Sequence, residues 1–411
     1  MSSVVPTQRI RLSIWVGATD LDEKVVAGAA GIVDDLTLIF TIANDETTNA
    51  IGYEIMMTAD RAAREAAACH KHGVQCLAGF QLTGSGVKKG PRTQRFESFL
   101  KTASNDQIDA FAKEMVTKID EPTSKGARTP TQRFDGLGFD NESVSDVTLR
   151  DKLTRLYRAV ATELVNGDGS GGRFVSVAAG PLSSPTQTVL PCPEAPGGGK
   201  AEGFVLNHPY EMSAGLPNLV VRPMCYDTFS ATPPTTAATR DRWHGEILDY
   251  AVGKGTHNGN KPATRAAVFQ MGFKNAPGFH NNPANAGKVD ENGNKFQNLD
   301  GIVDAGTEME AVCWHMRQQG VGVVLFAFPP RGDAKTKQPK PEKQYLAELA
   351  EYYKKIARYN FALNGAATSD GPDWTRFDAA NPTKDTRSPG TADAPAQAPI
   401  GADGQKRLGK P

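Results

Sequence analysis

Short apolar runs, each followed by a polar loop and then a helix-like stretch, recur along the chain to about residue 360, and this alternation limits the fold more than any other feature. The runs are Ile10–Val16, Leu36–Ile42, Val74–Phe80, Phe134–Asn141, Phe174–Ala179, Leu219–Cys225, Ala266–Phe273 and Val321–Phe328. Most are continuously apolar, as expected for strands of a parallel sheet covered by helices on its outer surface. Amphipathic or alanine-rich stretches separate them: Ala59 to Ala67, Phe99–Ile119, Leu149–Asn166, Arg240–Val252, Met309–Gln319 and Pro341–Tyr359. A series of eight favours a closed (β/α)8 TIM barrel over an open doubly wound sheet. Residues 1–363 are therefore expected to form the barrel. At 411 residues and 39% hydrophobic content, the chain has enough apolar material for such a core.

Three long connections follow strands, at Thr83–Thr93, Pro181–Glu202 and Asn275–Asp304. In a barrel they would gather at the C-terminal face, where binding sites form. Beyond residue 363 the composition turns to Pro, Gly, Ala, Asp and Thr, with almost no large apolar side chain after Phe377. Such a segment buries too little to offset its ordering entropy. The tail, residues 364–411, reads as a linker, a disordered end, or a segment that orders on a protein partner.

Lysine plus arginine equals aspartate plus glutamate, 46 against 46, so bulk charge draws the chain to neither nucleic acid nor an anionic membrane. A neutral partner such as a sugar or peptide suits this balance better. Cys69, Cys76, Cys192, Cys225 and Cys313 show no metal-ligand spacing and read as free thiols. His70 and His72 have no convincing further ligands around them, and neither metal nor cofactor is expected. The N-terminus lacks a basic segment leading into an apolar signal core, and no run approaches a membrane span. The expectation is a soluble protein made in the cytoplasm, released by lysis or carried by a specialised particle.

The chemistry concentrates in Asp135-Gly136-Leu137-Gly138-Phe139-Asp140-Asn141-Glu142. Side chains two apart on a strand share a face, so Asp140 and Glu142 are expected to point together from its C-terminal end. Paired carboxylates there suit glycosidic cleavage, in which one acid protonates the leaving oxygen as positive charge develops at the anomeric carbon. A metal-binding pair or structural partners remain open on these residues alone.

The segment resembles the DGxDxDxE strand-four signature of glycoside hydrolase family 18, which includes chitinases and endo-β-N-acetylglucosaminidases. Two strands later, Met224-Cys225-Tyr226-Asp227 resembles the family's Met-x-Tyr-Asp. The resemblance implies a retaining, substrate-assisted mechanism on an N-acetylglucosamine-containing glycan: chitin, peptidoglycan or N-glycan. Glu142 would be general acid and then base. Asp140 would orient the substrate's acetamido group, Tyr226 would hydrogen-bond its oxygen, and Asp227 and Met224 would line the same subsite. Asp135 is expected to be structural. The chain departs from the pattern at Gly138, where the family has a carboxylate, at Leu77-Ala78-Gly79-Phe80-Gln81 on strand three, and on strand eight, which offers Phe326 and Phe328 in place of a tryptophan. Each phenylalanine could be sugar floor or core, as could Trp15, and Gln270 is a candidate polar contact. The departures motivate a second expectation, a catalytically impaired sugar-binding or structural barrel, serving as a component of a phage-like or secretion particle.

Overall fold

The computed structural model describes residues 9–17, 20–44, 51–53, 57–83, 91–141, 147–166, 172–179, 191–192, 201–202, 216, 218–223, 269–274, 306–326, 328–333, 338–369 and 371–378. Within them run strands β1 (Leu12–Val16), β2 (Asp35–Asn44), β3 (Ile51–Tyr53), β4 (Gln75–Thr83), β5 (Gly136–Asn141), β6 (Phe174–Ala179), β7 (Pro191–Cys192), β8 (Ala201–Glu202), β9 (Leu219–Pro223), β10 (Gln270–Lys274) and β11 (Gly322–Phe326). The helices are α1 (Glu23–Val26), α2 (Ala59–Lys71), α3 (Pro91–Thr102), α4 (Asn105–Ile119), α5 (Val147–Asn166), α6 (Gly306–Gln319) and α7 (Glu342–Asn364).

Eight strands pair side by side in the order β10-β11-β1-β2-β4-β5-β6-β9, and every pairing in that series is parallel. A parallel bridge from Val221 to Phe269 joins the two ends. This is the (β/α)8 barrel expected from the alternation. Strand β3, which the apolar runs did not reveal, turns back antiparallel on β2. The short pair β7–β8 lies within the connection after β6. Helix Arg240–Val252 and most of the three long connections lie outside the described residues.

The alternation of the strands divides apolar side chains between two compartments. Leu12, Ile14, Leu36, Leu38, Leu137, Phe139, Val175, Val177, Val323 and Leu325 join the main buried cluster with the helices. Phe139 meets Tyr157 of α5, their ring centroids 4.8 Å apart. The intervening residues face the barrel interior. Toward the N-terminal end these include Leu77, Phe174 and Val220. Toward the C-terminal end they include Trp15, Ala178 and Val324, with Ile39 and Phe326 against them.

The single amphipathic helix expected over Phe99–Ile119 is instead two helices. Ser104 accepts a hydrogen bond from the Gln107 backbone N–H (3.2 Å), and the Gln107 side chain accepts one from the Ser104 N–H (2.8 Å). This reciprocal capping box begins α4 and separates it from α3. Beyond α7, the chain stays packed past residue 363. Trp374 and Phe377 lie 5.5 and 5.3 Å from the Phe361 ring, and Arg358 lies 4.3 Å over Trp374. The order of residues 371–377 thus comes from a few late aromatics against α7, which the residue composition of the tail averages away. Among the described residues, no helix is long and apolar enough to cross a membrane.

Candidate functional site at the C-terminal end of the barrel

Asp140 is the fifth residue of β5. Its strand neighbours Leu137 and Phe139 pack outward, so Gly138 and Asp140 belong to the interior face. Its carboxyl is mostly but not wholly covered. Burial pushes it up to about 7, because desolvation disfavours the charged form. A carboxyl poised there can be either proton-bearing or anionic near neutrality.

The C-terminal half of the interior supplies an apolar floor. Trp15, 4% exposed, packs with Val324 and Ala178, and the partly exposed Phe326 completes the cluster. Gly272 on β10 accommodates the indole closely, since an added Cβ would lie 3.1 Å from Trp15 Cη2. The structure therefore brings Asp140, Trp15 and Phe326 to one end of the barrel interior.

Two sequence candidates fall elsewhere. Phe328 lies beyond the end of β11, buried among helix residues, with its ring 5.7 Å from Tyr352 and 6.2 Å from Tyr353 of α7. It is a core residue rather than part of the sugar floor. Truncation by Phe328→Ala is expected to cost about 3–5 kcal/mol, read as a lower urea midpoint, and to leave glycan affinity unchanged. Gln270 is also withdrawn from any cleft, at 1% exposed. It accepts from Arg222 Nε (2.6 Å) and donates to Ser13 Oγ (2.8 Å). Glu142, Met224, Tyr226 and Asp227 lie outside the described residues.

Gln270 belongs to a polar network that sequence reasoning missed. Arg222, fully buried on β9, donates to Asp35 Oδ1 (2.8 Å), Thr37 Oγ1 (2.9 Å), Ser13 Oγ (3.2 Å) and Gln270. Ser13 donates to Asp35 Oδ2 (2.5 Å), as does Arg11 (2.9 Å). Burial alone would raise the Asp35 carboxyl, but the Arg222 and Arg11 charges and the Ser13 hydroxyl overcome it. The net position is below the usual carboxylate range. A barrel interior is more often filled with branched apolar side chains.

The same network explains Gly138. A Cβ there would come within 2.4 Å of Thr37 Cγ2 and 3.1 Å of Ser176 Oγ. Thr37 is held by its bond to Arg222, so its methyl cannot yield freely. The missing carboxylate is thus part of a packing arrangement spanning β2, β5 and β9.

Asp135 precedes β5 at the N-terminal end, as expected of a structural residue. Its Oδ2 accepts from the Cys76 N–H (2.7 Å) and lies 2.7 Å from His70 Nε2. His70 Nδ1 is 2.8 Å from the Thr131 carbonyl. Burial would lower the His70 pKa, but Asp135 and Thr131 together leave it raised. A raised folded-state pKa contributes stability fully present below the unfolded value of about 6.5, and lost as pH rises through the folded value. The stability deficit of His70→Gln should therefore be larger near pH 6 than near pH 9, by on the order of 1 kcal/mol in urea denaturation.

Cys69, Cys76 and Cys313 are buried free thiols. No group of three or more His, Cys, Asp or Glu side chains able to hold a metal occurs among the described residues.

No family model matches the chain, and no curated protein does. Solved structures do. A mutant GH18 chitinase from Cycas revoluta, in complex with (GlcNAc)4, aligns with a TM-score of 0.52 at 10% identity, covering 85% of this chain and 99% of that one. The GH18 chitinase from the same plant in complex with (GlcNAc)3 gives 0.51 at 10% identity, covering 85% and 98%. The Bacillus cereus spore cortex-lytic enzyme SleL gives 0.47 at 15% identity, covering 84% and 75%. At these identities the two chitinase alignments show a shared barrel fold.

Proposed function

We propose that the chain is a glycosidase acting on a glycan that contains β-linked N-acetylglucosamine. The observation that carries this reading is the Asp140 carboxyl on the interior face, beside the Trp15–Phe326 floor and raised to about 7 by burial. Strand-end position and apolar floor are parts that oxocarbenium-type chemistry needs, and a carboxyl near 7 supplies an anion beside the developing cation at neutral pH and above. The β5 and Met224–Asp227 motifs, and the barrel shared with chitinases seen with GlcNAc oligomers, point the same way.

In this mechanism the Glu142 carboxyl gives its proton to the glycosidic oxygen as the bond to the anomeric carbon breaks. The substrate's own acetamido oxygen attacks that carbon and leaves a cyclic cation. The Asp140 carboxylate and the Tyr226 hydroxyl hold the acetamido group. Glu142, now a carboxylate, takes a proton from water as the water's oxygen opens the ring, so configuration is retained. The partly exposed Phe326 ring, backed by the buried Trp15, offers apolar surface to a pyranose or an acetamido methyl. Incubation of wild type and Glu142→Gln with chitin oligosaccharides, peptidoglycan and N-glycans tests the reading. Wild type should release product from at least one while the variant does not, and equal rates on all three would refute it.

A second reading is favoured by Gly138, where Thr37 fills the space that a carboxylate side chain would enter. A barrel so packed could bind the sugar without turning it over. Calorimetry with N-acetylglucosamine oligomers separates the two, since heat of binding with no product supports the lectin-like protein.

A further inference from the structure

Ser176 is the third residue of β6, on the interior face and only 1% exposed. Its Oγ has no hydrogen-bond partner, an arrangement that costs on the order of 1–3 kcal/mol when a hydroxyl is buried. Two other hydroxyls of the described interior are engaged. Ser13 donates to Asp35, and Thr37 accepts from Arg222.

The β5–β6 register sets Ser176 opposite Gly138 and Ala178 opposite Asp140. Ser176 and Asp140 are therefore the diagonal corners of a four-residue interior patch. The other two corners bring at most a methyl group, and the Thr37 methyl lies over Gly138. Two residues of rise and one strand spacing separate the corner Cα atoms by ~8 Å. Both side chains rise from the same face, and one water with two hydrogen bonds of ~2.8 Å can link them where their rotamers lean toward the middle of the patch.

We propose that Ser176 is a positioning residue for Asp140, donating its hydroxyl to the Asp140 carboxylate through one bridging water. The shared water satisfies two polar groups that are each costly to bury alone. The bridge restrains the carboxylate rotamer and stabilises its charged form. For the catalytic step this rests on the glycosidase reading above. The charged groups sharing the described interior with the pair are Arg222 of β9, Asp35 of β2 and Arg11 before β1, which are bound to one another.

The test is the titration midpoint of Asp140, read by carboxyl-carbon NMR on the full chain in the absence of glycan and assigned by its loss in Asp140→Asn. Ser176→Ala should raise that midpoint by about 0.5–1 pH unit, a three- to tenfold change in the protonation equilibrium. The nearly isosteric pair Ser176→Thr and Ser176→Val supplies the same comparison if the alanine variant does not fold. Threonine, which keeps the hydroxyl, should hold the midpoint near wild type, and valine should raise it. A midpoint unmoved in both the alanine and valine variants would overturn the proposal, whether or not a glycan is hydrolysed. If the midpoint moves while no glycan is cut, the glycosidase reading fails and the Ser176–Asp140 bridge stands. With turnover, the acid limb of the kcat/KM profile should move in parallel.

Discussion

Asp35→Ala is expected to lower stability by about 3–5 kcal/mol, because it leaves the Arg222 guanidinium charged in the middle of the barrel without its counterion. Both partners are fully buried, so water cannot substitute without opening the fold. Arg222→Ala should cost less, since Asp35 keeps Arg11 and Ser13, but it removes the donors to Thr37, Ser13 and Gln270. The double variant should cost less than the two single losses together, because deleting Arg222 removes the charge that Asp35→Ala exposes. Urea denaturation of the four proteins gives this coupling, and strict additivity would show that the two side chains act independently. The pH dependence has a definite sign. A carboxyl held below its unfolded value contributes stability that is present above about pH 4 and lost as pH falls through the folded value. Wild type should therefore lose stability in acid more steeply than Asp35→Asn.

The network was hard to read from the sequence because a parallel barrel buries both faces of its strands. Period-two alternation then marks no face as polar. Arg222 sits in Leu219-Val220-Val221-Arg222-Pro223, where a lone arginine suggests an edge or a surface. Its partner Asp35 is 187 positions away. Gln270 was recognisable as a polar side chain in an apolar run, but its destination depended on that same arginine. Strand identity, by contrast, was legible, because continuous apolar runs bounded by loops have few other uses in a chain this long.

Where local rules were sufficient, the misreadings have local causes. The break between α3 and α4 is written in Ser104 and Gln107 at capping-box spacing, a local signal masked by the amphipathic pattern that runs across residues 99–119. Phe326 and Phe328 are two apart and would share a face only on a continuing strand. Strand β11 ends at Phe326, so the alternation no longer governs where Phe328 points. Gly138 presents in sequence as a lost carboxylate. In three dimensions it is the site where the Thr37 methyl lies against β5, which no spacing along the chain could indicate.

Asp140→Asn is expected to act in opposite directions on stability and on activity. In wild type, burial raises this carboxyl from 3.8 to about 7, so the folded state binds a proton that the unfolded state releases between those values. Stability must therefore fall as pH rises through that window and remain lower above it. The full deficit is on the order of 2–4 kcal/mol for a carboxyl that retains partial contact with solvent. The amide has no charge to desolvate. Asp140→Asn should accordingly be more stable than wild type near pH 8 by about that amount, with the gain shrinking toward zero near pH 4. Denaturant midpoints at the two pH values check the sign, and a gain independent of pH would mean that the carboxyl is not desolvated. If the chain is a glycosidase, the same substitution removes the negative charge beside the developing cation and should lower kcat by about 10²–10³-fold. A variant that gained stability at pH 8 and bound glycan as tightly as wild type, with no turnover in either protein, would assign the carboxyl to the lectin-like barrel instead.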